Sequence, residues 1–573
     1  MKKLKNSSYF KKLFLFTAIL LTLFLSLQTA TATNYYVDPV NGDDINSGLD
    51  PSNAFLTINK GVTTVTSPTD VVNLAEGTYS TAGDRDITVT QSMTIQGAGK
   101  DKTIINAQHL DQVFRFEHVT VTLADLTIIN GKAPDATSPS TQGMCGGAIY
   151  NHEGTLTINN CRISDNEAGN SLISGPGGYG GAIHNTGTLI INNCELTSNK
   201  AGNAMGGHEG GHGGAISSYG SLTIKKSVIS GNQAGNGGAN SAGTGGRGGV
   251  GGGIYCIQDL TLIDSIISNN LAGAGGASTG TPGGVGGDGG GIYIASQSTT
   301  ITGSHISGNR AGAGGTGTIT GSKGLGDGIY LVGYNYIIKG NNIINNFGTG
   351  IYIPYYPPNP ENSIVWSMHI NFNRIVENTL YGLYIPRESP AGAGDSMPYI
   401  DATNNWWGSN SNPCSLSKAV YDPNNYAKTN PWLVLSISTY PTSVAIGGIS
   451  VVTANVIYNN LGEDTSSLGH IPDGTPITIT TDLGNVGSKK VTEYTLNGIV
   501  TAVLRANEGS GIAHLYAILD GFRTPIPATV TIGGVSEVGA KTIGMQKTGA
   551  SVIPAVLAFL LVVSGMFYTK KQE

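Results

Sequence analysis

His208, Glu209 and His212 are spaced as in the HExxH motif, which holds zinc when a helix places both imidazoles on one face. Here the segment reads HEGGH inside a glycine-rich run. Glycine at that density opposes a helix, and no third ligand follows at a useful spacing. Gly283 to Asp288 reads GGVGGD, the start of a calcium-binding repeat. Such sites need tandem copies that lend carboxylates to one another, and this chain has one copy. Asp38, Asp43, Asp44 and Asn46 form the densest acidic group. Calcium is conceivable there, and a solvated turn is the simpler reading. Calcium apart, no metal or cofactor is expected. Glycan cleavage would need carboxylates converging from neighbouring repeats, and no Asp or Glu recurs in register.

The recurring chemistry is aromatic. Tyr150, His184, Ser217, Tyr255, Tyr293, Tyr330, Tyr352 and Tyr384 each follow an apolar residue in a glycine-rich step. Strand alternation puts the apolar residue inside and its neighbour outside. Tyr255, Tyr293, Tyr330, Tyr352 and Tyr384 are therefore the candidate binding residues, with Tyr255 to Tyr352 stacked over four coils. Tyrosine offers contact area and a hydroxyl at low entropic cost. Equally, stacked rings can serve the sheet alone.

The positioning element is a repeat. Asn166, Asn199, Asn232, Asn270, Asn309, Asn346 and Asn378 each lie three residues after Ile or Leu. The apolar column Ile149, Ile183, Ile216, Ile254, Ile292, Ile329, Ile351 and Leu383 advances by 34, 33, 38, 38, 37, 22 and 32 residues. Self-similarity of this kind means a solenoid. The shortest step fits one coil of a parallel β-helix, and the longer ones carry glycine-rich insertions, read as loops on one face. TLTI, TLII, SLTI and LTLI are short, alternating strands. Gly131 aligns with the asparagine column, which predicts left-handed backbone in that slot. Stacked asparagines can also hydrogen-bond along the axis.

The termini carry two further signals. A basic segment, an apolar run and Ala30-Thr31-Ala32 read as a signal peptide over 1–32. Residues 550–568 are apolar and followed by Lys570 and Lys571, which predicts a membrane span. Without those terminal segments, 24 basic and 36 acidic residues remain, a net charge of −12. That disfavours nucleic acid as a partner. Cys161 and Cys194 share one repeat position, which leaves open a disulfide or a stacked pair of small buried side chains.

These features divide the chain into a signal peptide (1–32), an N-terminal cap (33–86) with a short helix near 54–62, and a parallel β-helix (87–432) ended by Trp406 and Trp407. An immunoglobulin-like domain (433–532), a stem (533–549), a transmembrane helix (550–568) and a cytoplasmic tail (569–573) follow. The predicted fold class is all-β: a right-handed parallel β-helix solenoid, an immunoglobulin-like β-sandwich and a single C-terminal transmembrane helix.

The steps CGGAIY, GGAIHN, GGAISS, GGGIYC and GGGIYI resemble the repeats of chlamydial polymorphic membrane proteins, although IxxN replaces their FxxN and their C-terminal barrel is absent. ATNNWWGSN, NPWLVLSIS, GHIPDGTPITITTDLG and the terminal MQKTG resemble adhesin-like surface proteins of methanogenic archaea over nearly the whole chain. The N-terminal DPVNGDDINSGLDPSNAFLTI is similar to caps of β-helical polysaccharide lyases, and the sandwich to invasin-type repeats. The resemblance implies a non-enzymatic, adhesin-like protein, membrane-anchored at the cell surface with its ectodomain outside, binding a surface or wall glycan or protein. A cell-wall polysaccharide lyase or hydrolase is the alternative expectation, and a structural wall component the second. Fold alone does not separate these.

Overall fold

The computed structural model describes residues 32–354, 367–386 and 400–533. The chain is a parallel β-solenoid followed by a two-sheet β-sandwich.

A typical coil lays down three short strands, the first two fusing into one at Ile292–Thr302 and Ile329–Lys339. In one coil these are Ile149–His152, Thr155–Asn159 and Arg162–Ser164. The first two belong to a 22-stranded sheet and the third to a 10-stranded sheet. Thr155–Asn159 shows why the pattern works: Leu156 and Ile158 are fully buried while the residues between them face out. The next coil repeats the pattern in register, Leu156 opposite Leu189 and Ile158 opposite Ile191. Stacking at about 4.8 Å per coil then joins all inward side chains into one core from Tyr35 to Ala427. The sheet starts early, with Asn34–Val37 paired to Val71–Leu74. The short helix spans Ile58–Thr64, because Thr57 caps it by accepting from the Lys60 amide.

The asparagines run along the buried turn as a ladder. Each Nδ2 donates to the Oδ1 of the next coil's asparagine, at 2.9–3.0 Å from Asn166 to Asn378. Each Oδ1 also accepts the backbone amide of the preceding asparagine. At the N-terminal end, Gly131 donates its amide to Asn166 Oδ1 at 2.7 Å. Left-handed backbone falls one residue earlier than predicted, at Asn130, Asp165, Ser198, Gly231, Asn269, Gly308, Asn345 and Glu377. The asparagine is thus needed for its side chain, which caps buried amides that the tight turn leaves unpaired.

A second ladder occupies the turn before the third strand. Its members are Cys161, Cys194, Ser227, Ser265, Ser304, Asn341, Asn373 and Asn405, and each backbone amide from Cys161 to Asn373 donates to the next side chain. Cys161 and Cys194 are stacked free thiols in this column.

The glycine-rich insertions are ordered. Their outgoing and returning arms hydrogen-bond alternately, Gly202 to Gly178, Gly211 to Gly202, Gly235 to Gly211, Gly249 to Gly235, and onward to Gly324. They form a slab on one side of the solenoid. Glycine is demanded by close approach: a Cβ on Gly202 or Gly273 would lie 1.9 or 1.8 Å from a neighbouring carbonyl oxygen.

The two tryptophans close the solenoid from opposite sides. Trp407 packs into the solenoid core, and Trp406 joins the sandwich core with Ile344, Phe372 and Val376. The sandwich pairs a three-stranded antiparallel sheet with a larger second sheet.

The C-terminal transmembrane helix is a correction. No helix among the described residues is long and apolar enough to cross a membrane, and the predicted span at 550–568 lies outside the described residues. Over the described residues the fold class is an all-β parallel solenoid with no membrane-spanning helix. The membrane anchor and the single-pass localisation built on it are withdrawn. The predicted signal peptide over 1–32 falls almost wholly outside the described residues, as do the stem and tail apart from Gly533.

Candidate functional site

The outward residues of the first strand form one column in backbone register. It runs Arg115, Tyr150, His184, Ser217, Tyr255, Tyr293, Tyr330, Tyr352, Tyr384 and Tyr421. The five candidate tyrosines are consecutive in it. Their ring centroids lie 5.5, 5.0, 5.2 and 5.4 Å apart from Tyr255 to Tyr384, at interplanar angles of 25°, 7°, 15° and 12°. Tyr421 extends the stack at 4.5 Å. At the other end the Arg115 guanidinium lies 4.6 Å from the Tyr150 ring centre, a cation–π geometry.

Ser217 interrupts the column, and the gap is filled from outside the register. Tyr219 stands 5.6 Å from His184 and 5.8 Å from Tyr255. Tyr179 and His212 come from the glycine-rich insertions and stack face to face at 4.7 Å and 7°. His212 also reaches Tyr255 at 4.8 Å.

The charged groups of the insertions gather at the same place. The Gly210 amide donates to the Arg247 carbonyl, and the Gly213 and Gly251 amides donate to the Val250 and Asp288 carbonyls. This stacking brings Glu209 beside Arg247 and His212 beneath Asp288, two coils on. Arg247 Nη1 is 3.8 Å from Glu209 Oε1, and its other terminal nitrogen pairs closely with Asp288. The Leu325 amide donates to Asp288 Oδ1 at 2.7 Å. His212 Nδ1 accepts from the Val250 amide at 3.2 Å, and its Nε2 faces Glu209 at 4.0 Å.

Burial tunes these groups. Desolvation pushes the Glu209 carboxyl above the ordinary range, against the pull of Arg247. Asp288 is raised by the same cause, opposed by the Leu325 amide and Arg247. His212 is pushed down to about 4 by burial and by Arg247. His184 is also near 4, through burial. Desolvation raises Tyr219, and raises Tyr255 to about 12. The arrangement therefore offers a protonatable carboxyl, a neutral imidazole, a fixed cation and several un-ionised phenols on one face.

Glu209 and Asp288 stand in the two motif look-alikes, HEGGH and GGVGGD. Neither motif supplies a metal site of its own kind, since Glu209 and Asp288 converge on Arg247 instead. Tyr179, Tyr219 and Arg247 carry no signal in a single repeat. Tyr421 has one, the Val420-Tyr421 step, obscured by the tryptophan segment before it. At the N-terminus Asp38 accepts the Val40 and Asn41 amides, and Asp44 the Leu56 and Thr57 amides. These carboxylates are engaged in turns.

No protein-family model matches the chain, and no curated protein matches it in sequence. Solved structures do. One is the A-module of mannuronan C-5 epimerase AlgE4 from Azotobacter vinelandii, at 13% identity over 63% of this chain and 91% of that one, with a TM-score of 0.31. Another is the GH136 lacto-N-biosidase of Eubacterium ramulus, at 11% identity over 69% and 68%, with a TM-score of 0.23. At this level the likeness extends to the solenoid and no further. Both are named as carbohydrate-active enzymes, and neither as an archaeal adhesin. The expectation of a membrane-anchored, non-enzymatic adhesin-like protein is corrected on this finding, together with the absence of a membrane-spanning helix among the described residues.

Proposed function

We propose that the chain cleaves a polysaccharide that lies along the aromatic column, with Glu209 as the proton donor. The observation that carries this reading is the cluster at Ser217, where Glu209, Arg247 and Asp288 stand beside Tyr179, His212, Tyr219 and Tyr255. A carboxyl whose pKa is raised by burial retains its proton closer to neutrality, which is what a general acid needs. His212 carries its proton on Nε2, because Nδ1 accepts from Val250, and so presents a donor toward Glu209. Arg247 holds Asp288 as the second carboxylate. The rings on either side, stacked on one another, meet successive sugars with their edges and hydroxyls.

Two carboxyl groups favour hydrolysis over elimination. A wall-polysaccharide preparation incubated with the full chain should release reducing sugar without unsaturated ends, and Glu209→Gln should abolish the release. Unsaturated products would move the reaction to the lyase class. Absence of any product from a panel of wall polysaccharides would sink the reading.

A further inference from the structure

Two consecutive coils cross a Glu-His step with a His-Glu step. His152 is directly opposite Glu117 in the sheet, and the His118 amide donates to the His152 carbonyl at 2.9 Å. His118 and Glu153 both take left-handed backbone, φ 56° and 53°, so each chain turns at the same level. The four side chains meet at that bend. His152 Nδ1 is 2.6 Å from Glu117 Oε2, and His118 Nδ1 is 3.4 Å from Glu153 Oε2. The imidazole centres are 4.8 Å apart. One ligand atom each from Glu117, His118 and His152 lies within 4.8 Å of the others. Among the described residues this is the one such group of three histidine, cysteine or acidic side chains.

We propose that Glu117, His118 and His152 bind a divalent transition-metal ion of the zinc class. Two imidazoles and one carboxylate are a donor set that zinc takes with water in the remaining position. Calcium and magnesium want more oxygen ligands than the group supplies. Arg115 pairs with Glu117 Oε1, so Oε2 is the ligand atom, and the ion replaces its contact with His152 Nδ1. Glu153 holds Nδ1 of His118, which leaves Nε2 for the ion and fixes the ring, the role a carboxylate plays behind a metal-bound histidine. Bonds of about 2.0–2.1 Å place tetrahedral ligands about 3.4 Å apart, so the His118 ligand atom must move in by about an ångström while the 2.6 Å Glu117–His152 contact opens. The His118 side chain, 60% exposed, has the room to do so. Imidazoles aside, the local groups are one arginine and two glutamates, an excess negative charge that attracts a cation.

The site lies at the N-terminal end of the aromatic column, with the His152 ring 5.8 Å from Tyr150. It does not depend on the proposed cleavage. The test is calorimetric titration of the chelator-stripped full chain with Zn²⁺, repeated with Co²⁺ and read by visible absorption. One ion per chain is expected. His118→Gln and His152→Gln should each weaken binding at least a hundredfold, and Glu153→Gln by roughly tenfold. His118 sits in an exposed turn, and circular dichroism and melting of His118→Gln should match the parent. Zn²⁺ binding unchanged in both histidine variants, or no binding by the parent chain, overturns the proposal.

Discussion

Arg374 of the solenoid and Asp520 of the sandwich form a buried ion pair across the junction, with side chains only 10% and 5% exposed. The Trp406 indole adds a third contact, donating to Asp520 Oδ2 at 2.7 Å. Breaking one partner strands the other charge in a dry site, which typically costs about 3–5 kcal/mol. Asp520→Ala should therefore loosen the sandwich from the solenoid. Calorimetry should show the sandwich melting separately and earlier, whereas a single unchanged transition would mean the two units are held by apolar contact alone.

The glycine slab has no slack. A Cβ on Gly235 would sit 1.8 Å from the Gly202 carbonyl oxygen, whereas one on Gly280 would meet nothing within 4 Å. Gly235→Ala should lower stability by about 3 kcal/mol or more. Gly280→Ala should stay within about 0.5 kcal/mol. Urea midpoints of the two variants measure the contrast directly.

Asn232 serves its neighbours on both sides. Its Oδ1 accepts from Asn199 Nδ2 and the Asn199 amide, and its Nδ2 donates to Asn270 Oδ1. Asn232→Ala removes these bonds and leaves the Asn199 amide buried and unpaired, while Asn199 Nδ2 keeps the Ile163 carbonyl. A loss of about 2–4 kcal/mol is expected. Hydrogen exchange should quicken at the Asn199 amide first.

His184 and His212, held near 4 by burial, stay neutral in the folded chain above that pH and take up a proton on unfolding between about 4 and 6.5. A depressed histidine contributes stability that is present in full above the unfolded value of about 6.5 and is lost as pH falls toward 4. Each contributes about 3 kcal/mol over that window. Unfolding midpoints should fall between pH 6.5 and 4, and His184→Gln should flatten the slope.

If Glu209 donates the proton, activity should decline as pH rises through a value above the ordinary 4.5, because the active form is the protonated one. Glu209→Gln should cost about a hundredfold or more in turnover. Tyr384→Ala and Tyr421→Ala, at the far end of the column from the cluster, should raise KM roughly tenfold and leave kcat nearly unchanged. A fall in kcat without a change in KM would place these rings in the chemistry instead.

The coil was legible because inward positions repeat one by one. Ile149, Ile183 and Ile216 are each other's neighbours both in the repeat and in the sheet. The tyrosine column followed from the same register. The slab was not legible, since glycine patterns look alike whether a segment is loose or packed against a carbonyl. The cluster at Ser217 was missed for a related reason. Glu209, Arg247 and Asp288 occur once each, on three different coils, and only the stacking of the insertions makes them neighbours. The asparagine slot was found by its spacing and its axial hydrogen bonds were anticipated, but the left-handed turn was placed one residue late, because Gly131 stands there to end a ladder and not to bend the chain.

The aromatic column presents equivalent rings on successive coils, so a polymer laid along it would meet the same contacts after shifting by one step. A surface with that translational symmetry has no origin. Ser217 is its dislocation: between Tyr150 and Tyr421 it is the one in-register position without a ring. Glu209, Arg247 and Asp288 are moored beside it. A sliding chain would be indifferent to position everywhere else and would acquire a phase only there.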